Sequence, residues 1–300
     1  MVTGAPRPIR RCLQLSALSL VILAALYLVF VRTRWGQEVD DLAFEGRSAV
    51  LPQATRRTDR MLNAVTESSL FLLGGAIVSL ALAQRRLRLA VVVGACMSGA
   101  VATTEVLKRY LLTRPQLRGV QGIIENSYPS GHATIGAVVA LGLVMVSASS
   151  WRRAATVVAA LVATAFGTAV LASGWHRPSD SLGAYAVAFT WFAAGHAVLL
   201  WSDEHHPYPH GVANDDDRPP SRSLLVGAGL ALLAFTTLAV LRSLDRGLHT
   251  VVYVRMYVLL CVAIDAMGIA VVLLFAMMTG QRARQRRGAL LTNEGEVVAR

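Results

Sequence analysis

Polar and apolar positions along this chain fall in long blocks, not in single alternating steps. Eight apolar stretches, at about 12–31, 61–83, 89–107, 132–150, 154–175, 181–201, 223–242 and 254–279, are separated by shorter polar connections. About twenty apolar residues in a helix cross the hydrocarbon layer of a bilayer, so each stretch predicts a membrane-spanning helix. The fold class that follows is all-α, a polytopic membrane helix bundle. The first stretch follows Arg7, Arg10 and Arg11 and resembles a secretory signal. Its run is long, however, and its end, YLVFVRTRW, lacks the small residues of a cleavage site. It reads as an uncleaved span.

The polar blocks divide the rest. Residues 32–60 read as a long mixed-charge loop. Residues 202–222, with Asp203, Glu204, His205, His206, His210 and the run Asp215 to Asp217, read as a solvated linker, not a metal site. The linker separates a six-span core, 1–201, from two additional spans, 223–279, which read as an appendage. A basic tail, 280–300, follows. Glu67, Glu105 and Asp265 lie inside apolar stretches, where ionisable groups are functional candidates. Glu105 has a structural alternative, since Lys108 and Arg109 stand three and four residues on, at pairing distance on a helix.

Composition supports the membrane reading. Hydrophobic residues make up 54% of the chain and charged residues 16%, against about 25% charged in soluble domains; the mean hydropathy is +0.51. The net charge of +11 is almost all arginine, with Lys108 the single lysine. These charges flank the spans, which is the signature of membrane topology and not of nucleic-acid binding. Cys12, Cys96 and Cys261 lie in or beside apolar runs without metal-ligand spacing and read as buried thiols.

Arginine also orients the bundle. The N-terminal segment, Arg85, Arg86 and Arg88, Arg152 and Arg153, and Arg282, Arg284, Arg286 and Arg287 all fall on one face if eight helices cross. That face is expected to be cytoplasmic, with both termini there, in a cytoplasmic (inner) membrane. Three polar segments then share the opposite, extracytoplasmic face: KRYLLTRP (Lys108 to Pro115), YPSGH (Tyr128 to His132) and GWHRPSD (Gly174 to Asp180). The orientation rests on arginines in other loops, so this agreement is independent of it.

Each segment carries chemistry. Ser130, Gly131 and His132 open the fourth helix, whose first turn has free N–H groups and the positive end of the dipole and so attracts anions. Pro129 is tolerated there. The same residues also make an ordinary capped helix start. Lys108, Arg109, Arg114 and Arg118 place cations close by; arginine forks onto phosphate oxygens and lysine acts as a point charge. Pro178 turns the chain after Arg177 and puts Asp180 in the first turn of the sixth span. There Asp180 either caps the helix or accepts a hydrogen bond from His176, which fixes the tautomer and leaves the other ring nitrogen as a nucleophile.

The ordered triple of a Lys followed by Arg-Pro, then Pro-Ser-Gly-His, then a His with Asp shortly after it, resembles the type 2 phosphatidic acid phosphatase family of membrane lipid phosphate phosphatases. The resemblance spans about 100–185. It implies that His176 attacks phosphorus to give a phosphohistidine, that Asp180 orients it, and that His132 protonates the leaving oxygen and later activates water. It implies phosphate binding by Lys108, Arg114, Ser130 and Gly131, and no metal cofactor. The implied partners are a lipid phosphate substrate, such as a polyprenyl (pyro)phosphate or a phosphatidic acid-type lipid, and the surrounding membrane lipids. Two features depart from the family. Lys108 and Arg114 are separated by five residues where the family usually has six, which is a rotation of about 100° if the segment were helical. The family's Ser-Arg pair should stand six to seven residues before His176, where this chain has Ala169 and Val170. Arg118 and Arg177 are the candidates to replace that arginine. Two rival functions stand beside hydrolysis: phosphotransfer to another acceptor on the same scaffold, and lipid phosphate binding or transport without efficient catalysis.

Overall fold

The computed structural model describes residues 7–64, 67–118, 126–205, 222–242, 244 and 252–298. Ten α-helices run through them: α1 (Arg7–Leu26), α2 (Arg34–Gly46), α3 (Pro52–Ala64), α4 (Glu67–Ala83), α5 (Leu87–Val106), α6 (Gly131–Val146), α7 (Arg152–Ala172), α8 (Pro178–His205), α9 (Arg222–Arg242) and α10 (Val252–Val298). Wider π turns extend α1 over Tyr27–Val31 and α5 over Leu107–Leu111. Five segments are long and apolar enough to cross a bilayer: Arg7–Val31, Leu87–Leu111, Arg152–Ala172, Pro178–His205 and Val252–Gly280. Leu72–Ala83, Gly131–Val146 and Val226–Arg242 are shorter apolar helices. The protein is a multi-pass membrane protein with an all-α bundle, and each of the eight expected stretches overlaps one of these helices.

Helix α8 is the axis of the bundle. It is apolar on nearly all sides, and such a helix belongs in the interior. Its residues from Pro178 to Phe189 are buried without interruption. Neighbours tie into it through packing and scattered hydrogen bonds, the forces that remain between helices in lipid. From α1, the Ser16 and Ser19 hydroxyls donate to Thr190 O and Ala186 O, each at 2.9 Å. From α5, Cys96 Sγ donates to Trp191 O at 3.3 Å. Tyr185 crosses to α7, where its hydroxyl donates to Ala163 O at 2.8 Å. It fits there because Gly167 is bare: a Cβ at that position would overlap the phenol oxygen. Cys12, Cys96 and Cys261 are buried free thiols.

Two expectations need correction. Residues 32–60 are not a loop. In α2, the apolar Val39, Leu42, Ala43 and Phe44 recur at helical spacing among the charges, and Thr33 caps the start by accepting a hydrogen bond from Gly36 N at 3.0 Å. In α3, Leu62 is fully buried while Arg56, Arg57 and Arg60 line its polar side. The last spans are also built into the bundle. Thr168 on α7 donates to Asp265 on α10 at 2.6 Å. The Phe192 and Phe275 rings meet edge-on at 5.7 Å, and His196 Nε2 lies 3.2 Å from Met278 O. Asp265 is therefore an interhelical tie. The Glu67 side chain and most of the polar linker, 206–221, lie outside the described residues.

Candidate active site

The wide turn that ends α5 holds Lys108. Its backbone closes with Leu112 N donating to Leu107 O at 2.9 Å. Glu105 takes both following cations, Lys108 Nζ at 2.7 Å and Arg109 Nε at 2.8 Å, as its helical spacing predicts. The chain returns to the site through Asn126, whose amide donates to Lys108 O, Leu112 O and Tyr128 O at 3.3, 3.2 and 3.0 Å. Tyr128 is buried, and its hydroxyl donates to Leu23 O on α1 at 2.7 Å. Burial, with the nearby Asp180 and Asp40 charges, pushes that phenol well above its usual range and keeps it a neutral donor.

Helix α6 starts beside this turn. Ser130 is its cap: the hydroxyl accepts from Ala133 N at 3.3 Å. A Cβ added at Gly131 would lie 3.3 Å from Glu105 Oε1 and 3.6 Å from Lys108 Nζ. The ammonium of Lys108 is thus held against the first turn of α6. The Thr104 and Thr134 hydroxyls join α5 to α6 at 2.9 Å inside the bundle.

The start of α8 completes the arrangement. Ser130 N donates to Asp180 O at 2.9 Å, which clamps the α6 and α8 starts together. Asp180 is fully buried, and its Oδ2 receives His176 Nδ1 at 3.2 Å, Ser127 Oγ at 2.6 Å and Arg177 N at 3.1 Å. The carboxylate does both jobs that the sequence left open: it caps the helix and holds the histidine. The His132 ring meets Trp175, the residue before His176, edge-on at 5.1 Å. Both histidines, the lysine and the capped first turn of α6 therefore gather at one end of the bundle.

Residues 89–204, which carry all of these side chains, match the family model described as the PAP2 superfamily. The match covers less than half of the chain, and the superfamily it points to is one of phosphatases of phosphate esters, often lipids. No curated protein and no solved structure matches the chain.

The matched stretch is completed by a helix outside the match. Asp40 and Asp41 of α2 reach the motif arginines. Arg114, with its side chain only 5% exposed, bonds Asp40 Oδ2 through Nη2 at 3.0 Å and stands 3.7 Å from Asp180 Oδ1. Asp40 also accepts from Ser179 N at 3.1 Å and from the Ser179 hydroxyl. Asp41 takes Arg118 Nη1 at 3.3 Å and Arg177 Nε at 2.8 Å. Burial pushes the Asp40 carboxyl up to about 6, with Arg114 and the Ser179 hydrogen bonds pulling against it and the Asp180 charge adding to the rise. Sequence reasoning missed Asp40, Asp41, Ser127, Ser179 and Trp175. The signal for the two acids was the helical period of 34–46.

Both departures from the family pattern have a structural setting. Lys108 lies in the wide turn and Arg114 in the non-helical stretch 112–117, so the missing residue between them does not rotate one against the other as it would in a helix. Val170 is fully buried in an apolar cluster with Leu62 and Ala169, against Met61, Phe166 and Trp175. An apolar wall stands where the sequence resemblance led one to expect an arginine, and the arginines expected as stand-ins, Arg118 and Arg177, share Asp41.

Proposed function

We propose that this protein hydrolyses a lipid-linked phosphate or pyrophosphate at the extracytoplasmic face of the cytoplasmic membrane, through a phosphohistidine and without a metal. The observation that carries the reading is the His176–Asp180 pair beside the Lys108 and Ser130–Gly131 cradle. Asp180 accepts the Nδ1 proton, so the Nε2 lone pair of His176 is the nucleophile. It attacks phosphorus, an N–P bond forms, and the bond from phosphorus to the lipid oxygen breaks. His132 donates a proton to the departing oxygen. It then takes a proton from water, which attacks phosphorus; the N–P bond breaks, orthophosphate leaves and His176 is restored. Lys108, Arg114, Ser130 and the amides at Gly131 hold the phosphoryl oxygens as charge builds on them.

The substrate class fits the position. A site at helix ends in a multi-pass protein receives a charged head at the interface while the tail stays in the bilayer. Polyprenyl (pyro)phosphates and phosphatidic acid-type lipids both have that shape. The rival reading of a binding protein draws on Val170, whose apolar cluster removes one cation from the expected clamp. Phosphate release from a panel of such lipids, with chelator present, separates these readings. The purified protein releases phosphate and His176→Ala does not. No release from any lipid would sink the phosphatase reading, and equal release by both proteins would sink the role of His176.

A further inference from the structure

The guanidinium groups around His176 are not equivalent. Arg114 is held by Asp40 and faces Asp180; Arg118 and Arg177 are held by Asp41. Arg47 differs. It begins the short 3₁₀ turn after α2, Arg47–Ala49, and is half-buried. Its guanidinium lies over the Phe44 ring at 4.3 Å, with no carboxylate paired to it among the described residues.

The position of Arg47 is built. Gly174, two residues before His176, has φ +71°, and a Cβ there would collide with the Arg47 guanidinium, whose Cζ would be 3.0 Å away. Glycine at 174 therefore serves the left-handed turn and also the close approach of Arg47. The Arg177 guanidinium stands 5.6 Å from the same Phe44 ring. Its Nη1 is buried and without a hydrogen-bond partner among the described residues. Two guanidinium groups thus gather around Phe44 next to the His176 loop. Among the described residues, Arg47 has no carboxylate partner and Arg177 keeps an unused donor.

We infer that Arg47 is a substrate-phosphate-binding residue, which supplies from the turn after α2 the guanidinium that Val170 does not supply from α7, with Arg177 Nη1 beside it. The inference rests on the phosphatase reading for the identity of the substrate, but not for the anion site. An anion that bridges Arg47 and Arg177 gains a fork of N–H donors and satisfies a buried group that otherwise carries a desolvation cost.

Inorganic phosphate is the probe, with the full-length protein in detergent. Its binding is measured by calorimetry for the wild type, Arg47→Met, which keeps the apolar stem on Phe44, and Arg47→Lys, which keeps the charge. The expected result is a loss of affinity of about tenfold or more for Arg47→Met and a smaller loss for Arg47→Lys. With a lipid monophosphate as substrate, the same loss appears in KM more than in kcat. A second measurement needs no variant: phosphate at saturation protects Arg47 of the wild type from phenylglyoxal, read by peptide mass spectrometry. Unchanged affinity in Arg47→Met, an unprotected Arg47, or no saturable phosphate binding by the wild type would each overturn the inference. Arg47-dependent phosphate binding without turnover of any lipid would contradict the phosphatase reading alone. Turnover with phosphate binding indifferent to Arg47 would contradict this inference alone.

Discussion

Two helix starts meet in the site, and they are finished in opposite ways. The start of α8 is saturated. Asp180 Oδ2 takes three donors, Arg114 faces its other oxygen, and Asp40 locks Ser179 in the same turn. The start of α6 is held mainly by its own Ser130 cap and by the bond from Ser130 N to Asp180 O, with a single ammonium brought against Gly131. A helix start whose carboxylate is already surrounded has no room for an anion, whereas a first turn with a cation beside it attracts one. In the proposed mechanism the saturated start fixes the nucleophile in one tautomer, and the other receives a phosphoryl group that has to enter and leave. The division of labour is local, and it can be broken one side at a time.

The largest effect is expected at the saturated start. Asp180→Asn keeps the shape but offers a donor where the His176 Nδ1 proton has to go. Loss of the right tautomer in a comparable His–Asp pair lowers kcat by about 10⁴-fold, and a fall of that order is expected here with KM little changed. A loss below about tenfold would mean that α8 does not fix the nucleophile. The open start is expected to give the reverse pattern. Lys108→Met removes the ammonium next to Gly131, and a charged hydrogen bond is worth about 1.5–3 kcal/mol. Inorganic phosphate and substrate should bind about tenfold to a hundredfold more weakly, measured as Kd and KM. If Lys108→Met changed kcat alone, the contrast between the two starts would fail.

The smallest effect concerns the acid that supports the saturated side. The Asp40 carboxyl is raised to about 6 by burial, ahead of the opposing pull of Arg114, from an ordinary value of about 3.9. A folded state that binds its proton more tightly than the unfolded chain is favoured by acid. The Asp40 contribution is thus fully present below about pH 4 and is lost as the pH rises through about 6. Relative to Asp40→Asn, the wild-type melting temperature should fall between pH 4 and 7, by an amount equivalent to at most about 3 kcal/mol. A parallel course of the two proteins across that window would show that Asp40 titrates normally and that the α8 start is less tightly enclosed.

The reach of the sequence follows the same contrast. Apolar runs near twenty residues placed the five helices long enough to cross a bilayer and the three shorter apolar ones. The motif segments were legible because they stand at the ends of those runs. The Glu105 pairing was legible too, being set by helical spacing alone. What was not legible depends on docking between distant parts of the chain. Asp40 and Asp41 read as solvated charges in a mixed loop, and only the packing of α2 under Ser179 and Arg177 turns them inward. Val170 was visible as a departure, but its burial required α3 to bring Leu62 across to α7. The last two spans read as an appendage because the polar linker is conspicuous in sequence, whereas the Thr168–Asp265 contact between α7 and α10 is not.

The central claim is that His176 carries the phosphoryl group. The direct measurement is acid-free trapping and peptide mass spectrometry of a His132→Ala variant incubated with a lipid pyrophosphate substrate. His132 is assigned both to protonate the leaving oxygen and to activate water, so with a lipid pyrophosphate, whose phosphate leaving group departs with little need of a proton, the intermediate still forms and should accumulate. Phosphate on His176 and on no other residue is the predicted result. Phosphate on another residue, or continued turnover with none on His176, would contradict the account.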